Sequence, residues 1–266
     1  ATLNLHLNMH LHYTKLGLKG DDIIILHGLF GSGDNWQSIA KALSNRFQVY
    51  LIDLRNHGKS FHSDDMNFEL MAEDVVELLT SLHLENVVLI GHSLGGKIAI
   101  TLARDTPARV QKLIVVDIGI KASEGRHANF VKAMMQVDFS NTTNRSDIKL
   151  QLKTSIPENN IRSFLKKNCV RGDNNSFGWR LNLNAIHTNY RALMDEITLL
   201  HKVSVETHFI RGLESDYILD DDIPKLKERF RKVSFHNIPN AGHWPHADRP
   251  KYLLEILNTI LPSPTF

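Results

Sequence analysis

The sequence predicts an α/β fold: a mostly parallel central sheet covered by helices on both faces, with a helical segment inserted across the middle of the chain. Three observations carry this. Short Ile- and Val-rich runs alternate with segments of helical period, which implies parallel strands joined by crossover helices. The alternation stops over residues 121–203 and then resumes. One strand-to-helix junction reads Gly91-His92-Ser93-Leu94-Gly95, a turn whose composition is explained by chemistry better than by packing.

In chain order, LNLHLNMHLHYTKLG reads as an opening hairpin on which His6, His10 and His12 alternate toward solvent. DIIILHG, FQVYLIDL, NVVLIGH, KLIVVDIG and VETHFIRG read as buried strands, and VSFHNIP as the last one. NWQSIAKALS, ELMAEDVVELLTSLH, SLGGKIAITLARD, DIPKLKERF and YLLEILNTIL read as the helices between and after them. Residues 121–203, with NFVKAMMQV, IRSFLKKN and WRLNLNAIHTNYRALMDEI, are helical in pattern and show no clear strand run. The expected organisation is one core domain, residues 1–120 and 204–266, interrupted by a helical cap, or lid, at 121–203. No fixed-period repeat or low-complexity tract is present.

Composition bounds the function. With 266 residues, 42% hydrophobic and 23% charged, the chain can bury a sizeable core. A formal charge of +2 gives no support to a nucleic-acid or membrane-surface partner. A single cysteine, Cys169, excludes an internal disulfide, and the opening residues lack the pattern of a secretory signal, so a cytoplasmic location is expected. No run approaches the ~18 to 20 apolar residues of a membrane helix.

The chemistry begins at Ser93. A serine between a strand and a helix, flanked two residues away on each side by glycine, takes a strained backbone conformation that lifts its Oγ above the sheet. A dinucleotide-binding turn would need G-x-G-x-x-G, and Ser93 occupies the place of the second glycine. Serine is a poor nucleophile without a base. NAGHWPHADRP follows the last strand, and His243 is the preferred base; His246 belongs more naturally to the entry of the final helix.

Two carboxylates compete to orient that histidine. Asp117 ends the run KLIVVDIG and so lies at the carboxyl edge of the sheet, where open α/β folds place their sites. Asp216, in FIRGLESDYI, follows the strand that more often supplies the acid, but the usual position, three residues after Gly212, is Ser215. The bland readings are a cap where the lid begins for Asp117 and a helix N-cap for Asp216. Asp117 is preferred, with Asp216 left open. For an oxyanion hole, HGLFGSGDNW supplies the amide of Leu29 as the partner of the amide of Leu94 at the start of the following helix, and its glycine-rich turn would also serve a helix capped by Asp34. DLRNHGKS reads as a structural loop in which Asp53 and Arg55 brace the sheet edge.

HGLFGSGDNW, DLRNHGKS, GHSLGGK, VVDIG and AGHWPHADRP, in that order, resemble the α/β-hydrolase superfamily, and in detail its small bacterial YbfF-type esterases. The resemblance covers the core on both sides of 121–203 and is weak within that segment. It implies that the acid follows the sixth strand, with a serine near the usual acid position, which matches Asp117 and Ser215. It also implies esterase or thioesterase activity on short to medium acyl groups, a helical cap over the site, and no cofactor.

The expectation is therefore a serine esterase with Ser93, His243 and Asp117 as the triad and the Leu29 and Leu94 amides as oxyanion donors. It would act on a small-molecule ester or thioester without metal, as a monomer or small homo-oligomer. A serine at 93 argues against dehalogenase and epoxide-hydrolase chemistry, which need a carboxylate nucleophile. Carbon–carbon bond hydrolysis or lyase chemistry on the same scaffold, or a ligand-binding protein of low turnover, are the alternatives. Residues 121–203 carry 13 Lys plus Arg against 7 Asp plus Glu, a net +6 that could draw an anionic substrate but more often marks a solvated surface. Met134 and Met135 could line an acyl pocket, although a buried helix face suits at least one of them.

Overall fold

The computed structural model describes residues 10–123, 125, 127–172 and 176–261. Its seven-stranded sheet is built from β1 (Tyr13–Leu16), β2 (Asp22–Leu26), β3 (Gln48–Ile52), β4 (Val87–His92), β5 (Val110–Val116), β8 (Thr207–Gly212) and β9 (Val233–Ile238), in the order β1-β3-β2-β4-β5-β8-β9. All neighbouring pairs are parallel except β1 with β3. The central strands are buried on both faces, which is why they read as unbroken apolar runs. The opening hairpin falls largely on residues outside those described. In the described part, β1 is an edge strand that pairs across the sheet with β3, and His12, expected in solvent, sets its Nδ1 3.1 Å from Asp53 Oδ2.

Alternation along each strand sends side chains into two cores. Ile23, Ile25, Val88, Ile90 and Ile114 pack against α1 (Gln37–Leu43) and α11 (Pro250–Ile260). Ile24, Leu26, Leu89 and Val115 pack against α2 (Phe68–Ser81), α3 (Leu94–Asp105) and the buried Leu226 of α9 (Asp222–Arg229). α2 shows how such a helix is specified: Asn67 accepts the Leu70 amide at 2.8 Å as its N-cap, and Met71, Val75 and Leu78 form the buried stripe. Its buried Asp74 is matched by Arg55, which donates through Nε and Nη2 at 2.6 and 2.7 Å. Arg55 and Asp53 are thus braces: Asp53 accepts the amides of Gly33 and Lys59.

Between β5 and β8 the chain forms α4 (Ala128–Met135), α5 (Arg145–Gln151), α6 (Asn159–Leu165), α7 (Leu183–Thr188) and α8 (Tyr190–Met194). Their apolar sides join the α2–α3 core. The expectation that this segment holds no strands is corrected by β6 (Cys169–Arg171) and β7 (Phe177–Trp179), an antiparallel pair with three-residue arms too short to leave a period in the sequence. Met134 is buried and Met135 is 44% exposed, and neither lines the cavity over Ser93. Asp34 is not a cap; it lies exposed inside a 3₁₀ turn, Gly33–Trp36, whose entry is held by the Ser32 amide donating to Asn35 Oδ1 at 2.8 Å.

The strand order also fixes where a site can form. β3 and β4 lie on opposite sides of β2, so the chain leaves β2 one way and returns over it the other way. The loops after β2 and β4 therefore part at their carboxyl ends and open a crevice.

Candidate active site

Ser93 sits at that crevice with φ 51° and ψ −118°, a conformation a non-glycine residue adopts only under constraint. The constraint is visible. Its amide donates to Val116 O at 3.1 Å, and the Gly95 amide donates to His27 O at 3.1 Å, tying the elbow to the ends of β5 and β2. The turn is too tight for side chains at its flanks: a Cβ on Gly91 would lie 2.3 Å from Gly95 O, and one on Gly95 would lie 2.4 Å from Leu26 O.

His243, in the loop after β9, places Nε2 2.9 Å from Ser93 Oγ and Nδ1 2.8 Å from Asp117 Oδ2. With the neutral ring protonated at Nδ1, the imidazole donates to Asp117 and accepts the serine proton. Asp117 is fully buried at the end of β5, with φ 53°. Burial pushes its carboxyl up to about 7, opposed by hydrogen bonds from the Ser215 hydroxyl to Oδ2 and from the Gly212 amide to Oδ1 at 2.9 Å. Asp216, the rival acid, is exposed, and its charge is one of the smaller influences raising Asp117. It is not a helix N-cap either, since α9 begins at Asp222 with Asp221 before it.

The loop after β2 is shaped by two buried neutral histidines. His27 accepts the Leu54 amide at Nε2 (3.0 Å) and donates from Nδ1 to Gly28 O (2.8 Å); His57 accepts the Phe30 amide at Nε2 (3.2 Å) and donates from Nδ1 to Arg55 O (2.9 Å). Burial lowers both, His57 to about 3, so neither carries charge at neutral pH. Gly28 O also accepts the Gly31 amide at 2.9 Å. Because the peptide unit is planar, the Leu29 N–H points away from those two donors. The amide of Leu94 is the first of α3, where no intrahelical acceptor exists.

Several contacts escaped sequence reasoning. His92 donates from Nε2 to His243 O at 2.7 Å and so fastens the elbow to the histidine loop. The ring of Tyr217 lies on His243, with centroids 3.7 Å apart and planes within 15°. Only Ser215 left a signal, by occupying the usual acid position. His246 lies below, in α10 (Pro245–Asp248), stacked on Trp36 at 4.5 Å. Over Ser93 is a cavity of about 20 Å³, walled by Leu29, Phe30, Phe130, Ile161, Phe164 and Trp244 among others. Among the described residues no cluster could hold a metal ion, and no helix is long and apolar enough to cross a membrane.

A strained serine and a histidine bridging it to a buried carboxylate define a serine hydrolase built on an α/β sheet. The model of the alpha/beta hydrolase fold family matches residues 22–250, and the chain belongs to that family. Esterase YbfF of Escherichia coli is 30% identical over 96% of this chain and 98% of its own. The sn-1-specific diacylglycerol lipase ABHD11 of Danio rerio is 38% identical over 95% and 83%. A solved structure described as a marine microorganism esterase superposes with a TM-score of 0.93 at 42% identity, covering 95% of this chain and 100% of that one. Within the family the chain is a YbfF-like carboxylic ester hydrolase.

Proposed function

We propose that the protein hydrolyses short- to medium-chain acyl esters or thioesters through a serine acyl-enzyme. Ser93 Oγ attacks the carbonyl while His243 Nε2 takes its proton, and the Leu29 and Leu94 amides receive the developing oxyanion. His243 then protonates the leaving alcohol or thiol and activates water for deacylation, with Asp117 orienting the ring and balancing its charge. The observation that supports this most is the bridge itself, 2.9 Å to Ser93 and 2.8 Å to Asp117, beneath a serine held at positive φ.

Residues 121–203 act in this reading as the cap. Phe130, Ile161, Phe164 and Leu165 close the cavity from that side, and about 20 Å³ is room for little more than one water, so an acyl ester needs these side chains or their helices to give way. The apolar walls suit an acyl chain, and no cofactor or metal enters the mechanism.

The test is p-nitrophenyl ester hydrolysis from acetate to decanoate by wild type, Ser93→Ala, Asp117→Asn and Asp216→Asn. Ser93→Ala is expected to be inactive, Asp117→Asn to lose about 10⁴-fold in kcat through the wrong imidazole tautomer, and Asp216→Asn to stay near wild type. Collapse of Asp216→Asn alone would move the acid to Asp216. An inert wild type would bring carbon–carbon bond hydrolysis or ligand binding to the front.

A further inference from the structure

The loop after β8 does more than hold the acid. Ser215 reaches Asp117, and two residues on, Tyr217 covers one face of the His243 imidazole. Planes within 15° and centroids 3.7 Å apart set the phenol and the imidazole face to face. Between two neutral rings such a stack is a modest contact. The other rings beside His243 meet it at an angle: His92 is tilted by 43° at 5.0 Å and Trp244 by 58° at 5.9 Å. A positive charge on the imidazole strengthens that contact, because the cation then faces the negative face of the phenol ring.

We propose that Tyr217 stabilises the imidazolium form of His243 through its ring face, and so lowers the barrier to proton transfer from Ser93. This rests on the reading of His243 as the general base. A neutral imidazole gains less from the stack than the imidazolium does. When the Ser93 proton arrives at Nε2, the same ring, without moving, meets the negative face of the phenol. An interaction stronger in the transition state than in the ground state accelerates the chemical step without tightening substrate binding. Tyr217 is stacked on the base and acts through His243.

Electrostatic stabilisation separates from simple packing if the π-density is changed at nearly constant shape. Tyr217→Phe, and Tyr217→Phe carrying one, two or three ring fluorines introduced by nonsense suppression, form such a series, with Tyr217→Leu removing the ring. Hydrolysis of p-nitrophenyl butyrate is measured for each, beside thermal unfolding. A cation–π contact at a partly desolvated site corresponds to about 5- to 30-fold in rate. The expected result is a stepwise fall in kcat with each fluorine at constant KM and unchanged melting temperature, with Tyr217→Phe within about threefold of wild type and Tyr217→Leu at the bottom of the range. A flat fluorine series, or a Tyr217→Leu variant as fast as wild type, would overturn the proposal while leaving the serine-hydrolase reading intact. Activity surviving in His243→Ala would overturn both.

Discussion

Ser215→Ala probes how this site keeps a carboxylate charged inside the protein. The wild-type hydroxyl donates to Asp117 Oδ2, the same oxygen that faces His243 Nδ1, and it is the largest of the influences that oppose burial. A hydrogen bond to a charged acceptor is worth ~1.5–3 kcal/mol, and a tenfold change in an acid's dissociation constant corresponds to ~1.4 kcal/mol. Losing the donor therefore weakens the Asp117 acid by about ten- to a hundredfold, carrying it upward from its position near 7. The sign follows directly: the active form needs the carboxylate, the protonated form persists to higher pH in the variant, and the acid limb of kcat/KM moves upward. Because Asp117 and His243 share a 2.8 Å hydrogen bond, the limb reports the pair rather than either group. The assay is kcat/KM for a p-nitrophenyl ester from about pH 5 to about pH 9, with Ser215→Thr as the variant that keeps a hydroxyl. Ser215→Ala should fall about tenfold or more below the wild-type limb and approach wild type above it. A limb that superimposes on wild type would refute the reasoning, and an equal loss at every pH would make Ser215 a geometric prop.

Other outcomes follow from groups away from the chemistry. Lys97, on α3, is 1% exposed, with Nζ donating to the backbone oxygens of Lys121, at 2.7 Å, and of Asp195. Burial lowers it to about 8, so between there and its ordinary 10.5 the unfolded chain binds the extra proton. Wild type should accordingly gain on the order of 3 kcal/mol relative to Lys97→Met as pH rises through that window, read by urea unfolding. Arg55→Ala strands the buried Asp74 carboxylate and should cost about 3–5 kcal/mol of stability, with the double variant Arg55→Ala/Asp74→Ala recovering part of the loss in the same measurement.

Local sequence was enough to specify the elements and the strained serine turn. β2, β3, β4, β5, β8 and β9 and helices α1, α2, α3, α9 and α11 were legible because burial on two faces of a sheet writes itself as local runs and periods. Ser93 was legible because the turn leaves no room for a Cβ at Gly91, which would meet Gly95 O, or at Gly95, which would meet Leu26 O, so both flanks are glycine and the pattern shows within five residues. The edge pairing of β1 with β3, the short β6–β7 ladder and the neighbours of the imidazole were not. Asp117 meets Ser215 across 98 residues and His243 meets Ser93 across 150, and such contacts depend on how strands order and loops settle once the whole chain is packed. The choice between Asp117 and Asp216 shows the same limit: both lie near strand ends, but one carboxylate is buried beneath the histidine and the other is exposed to solvent. Local pattern encodes which face of an element is buried. Which loops meet above the sheet is decided by the crossings between elements, and those exist only once the chain has folded.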